Sequence, residues 1–169
     1  MLTKIIKTKM LLLISLVGIT GIIQADAYKK ALWEWQNSNY WEKADSEESK
    51  KTVKDLIENT NPSASSTDMM GETALIIAAR FKDIEMIKFI LENTKNTNFK
   101  EEAKNSINFS NRSSLSVSYK RSNDISIKEP SALDWAIGHN NKEMQKLLKK
   151  YGADLKKRAD LRKQANPKK

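Results

Sequence analysis

This chain reads GETALIIAARFKDIEMIKFILEN from Gly71 to Asn93 and then, after an interval, PSALDWAIGHNNKEMQKLLKKYGAD from Pro130 to Asp154. When Thr73 is set against Ser131, 58 residues further on, small and apolar residues of one stretch meet small and apolar residues of the other at nearly every informative position. A pattern that returns in this way indicates a repeated structural unit.

Each copy contains two short apolar bursts separated by a polar break. The bursts are Leu75–Ala79 and Met86–Leu91 in the first copy, and Leu133–Ile137 and Met144–Leu148 in the second. Each burst has the i, i+3, i+4 spacing of a helix with one buried stripe. The copies therefore predict two helix–turn–helix units, and because one such unit cannot bury its apolar face alone, the units must stack.

The motifs resemble a known repeat family. The first copy carries DxxGxTALxxAA from Asp68 to Ala79, and the second carries SALxxA from Ser131 to Ala136 and closes with YGAD from Tyr151 to Asp154. This pattern resembles the ankyrin repeat, and the two copies cover about a third of the chain. The resemblance implies an all-α fold, a short ankyrin-repeat stack of helix–turn–helix units.

The two copies depart from the family pattern at two places. Ala74 and Ala132 stand where the family usually has a proline that starts the inner helix. Ile76 and Asp134 stand where it usually has a histidine that hydrogen-bonds between repeats. These substitutions put the usual bonding between repeats in doubt and leave the fold expectation unchanged.

A third unit is predicted upstream, because a stable stack needs about three repeats. Val53, Leu56 and Ile57 lie 33 residues before Met86, Phe89 and Ile90, which is one ankyrin period. The segment ESKKTVKDLIENT is therefore the predicted outer helix of a degenerate first repeat, residues 28–67. Its inner helix, YKKALWEWQNSNYWEKA, is unusually aromatic. Its rings either cap the open end of the stack or offer a platform to a partner: Trp33, Trp35, Tyr40 and Trp41.

One continuous core is expected across the units. Its predicted members are the apolar residues at the helical spacing: Leu75, Ala78, Ile87, Ile90, Leu133, Ala136, Leu147 and Leu148, together with Val53, Leu56 and Ile57.

The clear repeats, residues 68–94 and 129–155, are separated by an insertion at residues 95–128. Most of it is polar and rich in serine and asparagine, which predicts a loop. Leu115, Val117 and Tyr119 alternate with serines before a turn-forming stretch, which predicts a β-hairpin. We expect a lengthened hairpin-like finger between the last two repeats, and the alternative is a disordered loop.

Composition excludes several kinds of chemistry. The chain has no cysteine, so it has no disulfide framework and no thiolate metal site. Its one histidine, His139, falls in the turn of the last repeat, where a surface position is expected rather than a catalytic base. We therefore expect no enzyme activity, no catalytic residues, no cofactor, no metal and no small-molecule substrate.

The N-terminus predicts an export signal. In residues 1–27, Lys4, Lys7 and Lys9 precede an uncharged run over residues 10–23, and Ala25 and Ala27 supply small residues for a signal peptidase. The run spans about 21 Å as a helix, which is short for a bilayer core of about 30 Å. Cleavage near Ala27 and a periplasmic or secreted protein are expected; the alternatives are an uncleaved membrane anchor or a buried helix.

The net charge of +9 lies mainly at the C-terminus, where residues 142–169 carry eleven basic and three acidic side chains. Residues 156–169 are predicted to be a basic tail. The tail either caps the last repeat as a solvated helix or is attracted to an anionic surface such as membrane headgroups or nucleic acid.

Two functions follow from these patterns. The resemblance implies a non-catalytic protein–protein interaction module that binds an unidentified protein partner through its concave face. Carried onto this chain, the family's contact positions are the following: Met69, Met70, Glu72, Arg80, Phe81 and His139. The alternative is electrostatic binding of an anionic surface through the basic tail.

Overall fold

The computed structural model describes residues 24–41, 46–108, 118–120, 126–128 and 130–155. Residues 24–40 are helical and form α1. The further helices in these ranges are α2 (Ser46–Thr60), α3 (Ala74–Arg80), α4 (Ile84–Lys88, continued by a π-helical turn over Phe89–Asn93), α5 (Thr97–Asn105), α6 (Ala132–Gly138) and α7 (Lys142–Lys150). The strands are β1 (Ser118–Lys120) and β2 (Ser126–Lys128).

The inner helices of the two clear repeats begin in the same way. Thr73 precedes α3 and accepts a hydrogen bond from the Ile76 N–H, and Ser131 precedes α6 and accepts one from the Asp134 N–H. Such caps satisfy backbone donors that have no partner within the helix. Hydroxyl caps therefore start both helices, although the next position holds Ala74 or Ala132 where the family usually has a proline.

The turns between inner and outer helices also correspond. Lys82 and Asn140, 58 residues apart, both have positive φ, 62° and 51°. The chain then turns back, and the N–H groups of Asp83 and Asn141 bond to the carbonyls of Ala78 and Ala136 at 2.8 and 3.0 Å. Asp83 and Asn141 next cap α4 and α7. The repeat seen in the sequence is thus a repeat of backbone conformation.

The predicted core is confirmed. Every residue of the predicted set belongs to one buried apolar cluster, with Leu56 partly buried at its edge. Helix α1 adds Tyr28, Leu32 and Trp35, all buried. The aromatic residues of this N-terminal segment thus differ in burial: Trp35 joins the core, while Tyr40 and the following Trp41 are exposed.

The insertion differs from its prediction in its first third, where a loop was expected and α5 forms. Asn96 caps this helix by accepting from the Phe99 N–H at 3.0 Å, and Phe99 and Ala103 are buried one turn apart. The Phe99 ring meets Tyr28 edge-on with centroids 6.2 Å apart. Phe99, Ala103 and the following Ile107 are four residues apart and dock this polar segment on the core.

Further along the insertion, β1 and β2 pair antiparallel with Tyr119 opposite Ile127. The residues that join these strands lie outside the described ranges. The finger-like hairpin as a whole therefore stays a prediction.

Among the described helices, none is long and apolar enough to cross a membrane. The predicted signal, residues 1–27, and the predicted basic tail, residues 156–169, lie almost entirely outside the described residues.

Candidate functional site

The Arg80 side chain, at the end of inner helix α3, lies among aromatic rings from three separate parts of the chain. Its Cζ is 6.0 Å from the ring centre of Tyr40 in α1, 5.5 Å from that of Trp135 in α6 and 5.6 Å from that of neighbouring Phe81. A guanidinium at these distances is attracted by the ring faces. We call this set, completed by His139, the inner ladder: Tyr40, Arg80, Phe81, Trp135 and His139.

A buried carboxylate holds the ladder's cation. Glu72 is fully buried, and its Oε2 accepts from Arg80 Nη1 at 2.9 Å and from the side-chain amide of Gln36. Burial raises the pKa of Glu72, while the Arg80 guanidinium partly offsets that rise. Because Gln36 belongs to α1 and Arg80 to α3, this one oxygen joins these two helices.

The loop before α3 is built around a second buried carboxylate. Asp68 Oδ1 accepts from the N–H groups of Met70 and Glu72, both at 2.9 Å, and Gly71 takes a positive φ of 75°. Burial raises the pKa of Asp68, and the two backbone donors act against that rise. This turn fixes the position of Glu72 and leaves the Met69 side chain pointing away from the core, 72% exposed.

His139 joins the second repeat to the third. Its Nε2 donates to the backbone carbonyl of Arg80 at 2.8 Å, and its ring stacks on Trp135 with centroids 5.7 Å apart. Burial lowers the pKa of His139, and nearby Lys82 lowers it further, against the effect of the Arg80 carbonyl. Because a carbonyl oxygen can only accept, Nε2 carries a proton in this contact.

The bond between repeats thus differs from the family's usual one. Ile76, at one usual histidine position, is buried in the core. Asp134, at the other, accepts from the N–H and hydroxyl of Ser131 at 2.8 and 2.7 Å, within its own helix start. His139 instead bonds across to the Arg80 carbonyl from the end of its helix, one of several connections between the last two repeats.

The six predicted contact residues fall into three groups. Arg80, Phe81 and His139 come together in the inner ladder, all half-buried, and Met69 and Met70 lie in the turn before α3, exposed and half-buried respectively. The prediction is wrong for Glu72, because its side chain is buried beneath Arg80 and cannot reach a partner. His139 is likewise not the open surface residue that its turn position indicated.

Two ladder residues were missing from the predicted set. Tyr40 was noted only as one of several aromatic residues in α1, and Trp135 was not singled out. The sequence carried one signal for Trp135. This tryptophan stands in an inner helix at the position that Ile77 occupies in the other copy. Tyr40 and Trp41 are 60% and 64% exposed, and their rings meet edge-on at 5.1 Å.

The acidic side chains of the site take part in local structure. Within the described ranges no three acidic or histidine side chains are grouped as metal ligands. The carboxylates of the site are engaged by Arg80, Gln36 and backbone donors. The expectation that the chain needs no cofactor stays a prediction.

Comparison with known proteins gives one positive result. A search of curated proteins found no match, and a search of solved structures found none. A family model described as ankyrin repeats, in three copies, matches residues 43–159. The match begins just before α2, includes both clear repeats and leaves α1 outside. It spans more than half of the chain, which therefore belongs to the ankyrin-repeat family.

Proposed function

We propose that this chain binds a protein partner through the inner ladder together with the exposed side chains of Met69 and Trp41. Ankyrin repeats indicate a protein–protein interaction module and are typically non-catalytic. The observation that carries the proposal is the convergence of three successive inner helices on Arg80, next to Tyr40 and Trp41, which remain largely exposed. Aromatic and arginine side chains dominate the binding energy of protein interfaces.

The exposed part of this surface is distinct from its support. Glu72 and Trp135 are buried and position the ladder, whereas Tyr40, Trp41 and Met69 are the large apolar side chains that face solvent in the described residues. Phe81 packs partly against the core, so its replacement would disturb folding as well as contact. A test of binding should therefore alter the three exposed residues and leave Phe81 in place.

The experiment is affinity capture with the full chain, followed by calorimetry with the purified partner. The variant Tyr40→Ser/Trp41→Ser/Met69→Ser should keep its thermal midpoint and bind the partner at least about 30-fold more weakly, since hot-spot side chains contribute about 2 kcal/mol or more each. The control, Lys51→Ser/Asp55→Ser, alters two exposed residues on outer helix α2 and should bind normally. A folded triple variant with unchanged affinity would refute the site.

Export is the second part of the proposal. The signal-like pattern of residues 1–27 supports it, and so does the burial of α1: Tyr28 is the first fully buried residue described, while Asp26 and Ala27 are exposed. Cleavage near Ala27 would therefore leave the described core complete. N-terminal sequencing of the recovered protein should begin near Tyr28, and a soluble cytoplasmic protein that retains Met1 would contradict export. A membrane-bound protein that retains Met1 would instead support the uncleaved anchor.

A further inference from the structure

The outer surface of the last repeat carries an unusual row of lysines. Lys142, Lys146 and Lys149 in α7 are all exposed, and their spacing of four and three residues places them on one helix face. They span about 10 Å along the helix, at about 1.5 Å per residue. The opposite face holds the buried residues of the same helix: Met144, Leu147 and Leu148. We call this row the lysine face.

None of the three lysines makes an ion pair with any residue that the structure describes. Other lysines nearby do: Lys88 Nζ lies 3.3 Å from Glu143, and Lys150 Nζ lies 2.9 Å from Glu92. The first of these pairs engages Glu143, the acidic residue closest to the row in sequence. The lysine face therefore has three like charges side by side, which repel one another.

The chain beyond α7 also carries positive charge. Beyond α7, residues 156–169 add seven basic side chains and one acidic side chain to this end of the chain. Such a concentration of positive charge raises the local concentration of anions at the surface. Within this basic part of the chain, the structure describes the three lysines of α7, whereas residues 156–169 lie outside the described ranges.

The row favours a lipid surface over nucleic acid. The face offers no aromatic ring for stacking on bases, because Tyr151 is half-buried and donates to Glu92 at 2.9 Å. Gln145, which could read a base edge, donates instead to the Ala136 carbonyl at 3.2 Å.

We propose that Lys142, Lys146 and Lys149 form a docking face for an anionic phospholipid surface. Each lysine that approaches such a surface raises affinity by roughly fivefold. The face lies on an outer helix, whereas the inner ladder lies on inner helices, so lipid and protein partner would contact different sides. The proposal does not depend on the function proposed for the ladder.

The test compares the full chain with two variants of equal net charge. Lys142→Gln/Lys146→Gln/Lys149→Gln removes the face, and Lys29→Gln/Lys51→Gln/Lys95→Gln removes three other exposed lysines from different elements. Sedimentation with vesicles of phosphatidylcholine, alone or mixed with phosphatidylglycerol, measures binding. Binding to the uncharged phosphatidylcholine vesicles measures how much the apolar run at residues 10–23 contributes to membrane affinity.

On the anionic vesicles we expect the lysine-face variant to bind roughly 100-fold more weakly, and the control variant to lose much less. Binding by the unaltered chain should weaken as salt is added. Replacing the same three lysines by arginine should restore binding. Circular dichroism should show that all variants remain folded.

Three results would overturn the proposal. Equal losses in both glutamine variants would mean that net charge acts without a defined face. An unchanged lysine-face variant would assign binding to the tail. If this variant lost affinity for duplex DNA but kept its affinity for the anionic vesicles, the face would be a nucleic-acid site.

Discussion

At the scale of single residues, the Glu72 carboxylate lies fully buried between α1 and α3, where Gln36 and Arg80 both donate to it. Removing a charge from water is costly, and the cost is offset only when a partner and hydrogen bonds are in place. The same arginine lies against Tyr40 and Trp135. One ion pair therefore supports both the joint between repeats and the surface proposed to bind a partner.

Replacing Arg80 by methionine should expose the cost of that buried carboxylate. We expect Arg80→Met to lower the free energy of unfolding by about 3 kcal/mol at about pH 8, because an uncompensated charge remains. The pKa of Glu72 is raised in the folded protein, so its contribution to stability is full below its ordinary value of 4.5 and is lost as pH rises through the folded value. The loss of unfolding free energy caused by Arg80→Met should therefore become smaller as the pH falls towards about 5. Urea unfolding at both pH values measures it.

The control for this change is the double variant Glu72→Gln/Arg80→Met, which removes the buried charge together with its cation. Its deficit should be smaller and should not change between the two pH values. A single variant whose deficit is the same at both would show that Glu72 does not carry a buried charge.

At the scale of elements, α5 and the residues just after it are bonded to two other parts of the molecule. Glu102 accepts from the Ala64 N–H at 2.9 Å and from the Ser65 hydroxyl at 2.7 Å, and Asn108 bonds to the Gly152 carbonyl and the Asp154 N–H. Burial would raise the pKa of Glu102, but the serine hydroxyls and backbone donors outweigh it and lower the pKa. The helix thus links the loop after α2 to the end of the last repeat.

Truncating Phe99 tests whether α5 belongs to the core. Phe99→Ala should lower the free energy of unfolding by about 3–5 kcal/mol, because it empties a buried site against Tyr28. Asn98→Ala, at the exposed neighbouring position, should change it by no more than about 0.5 kcal/mol. Denaturant titrations of both variants make the comparison, and equal effects would mean that α5 is not docked.

At the scale of the whole molecule, the stack extends beyond the matched ankyrin segment. The family match begins at residue 43, yet α1 places Tyr28, Leu32 and Trp35 in the same buried cluster as both clear repeats. Gln36 in turn reaches Glu72 of the next repeat. Since terminal units cover the open ends of a repeat array, α1 acts as the cover of the first repeat.

Removing α1 should cost most of the stability. A chain that starts at residue 43 loses several large buried side chains, each worth about 2–5 kcal/mol, against a total of about 5–15 kcal/mol for a typical domain. We expect it to bind the apolar dye ANS and to lose cooperative melting, whereas a chain that starts at residue 24 melts normally. A sharp transition in the shorter chain would contradict the role of α1.

The sequence alone determined the repeats, their core and their family. Spacing within one helix decides which face is apolar, and this is a local property, so the apolar sets around Leu75 and Leu133 were predicted correctly. Only the tertiary structure decided that Glu72 is buried, that Arg80 meets Tyr40 and Trp135, and that α5 docks through Phe99. Those outcomes depend on contacts between residues that are 36 or more positions apart in the sequence, as Gln36 and Glu72 are. The buried carboxylate of Glu72, for example, needs a hydrogen-bond partner, and part of that role falls to Gln36, 36 residues earlier in the chain.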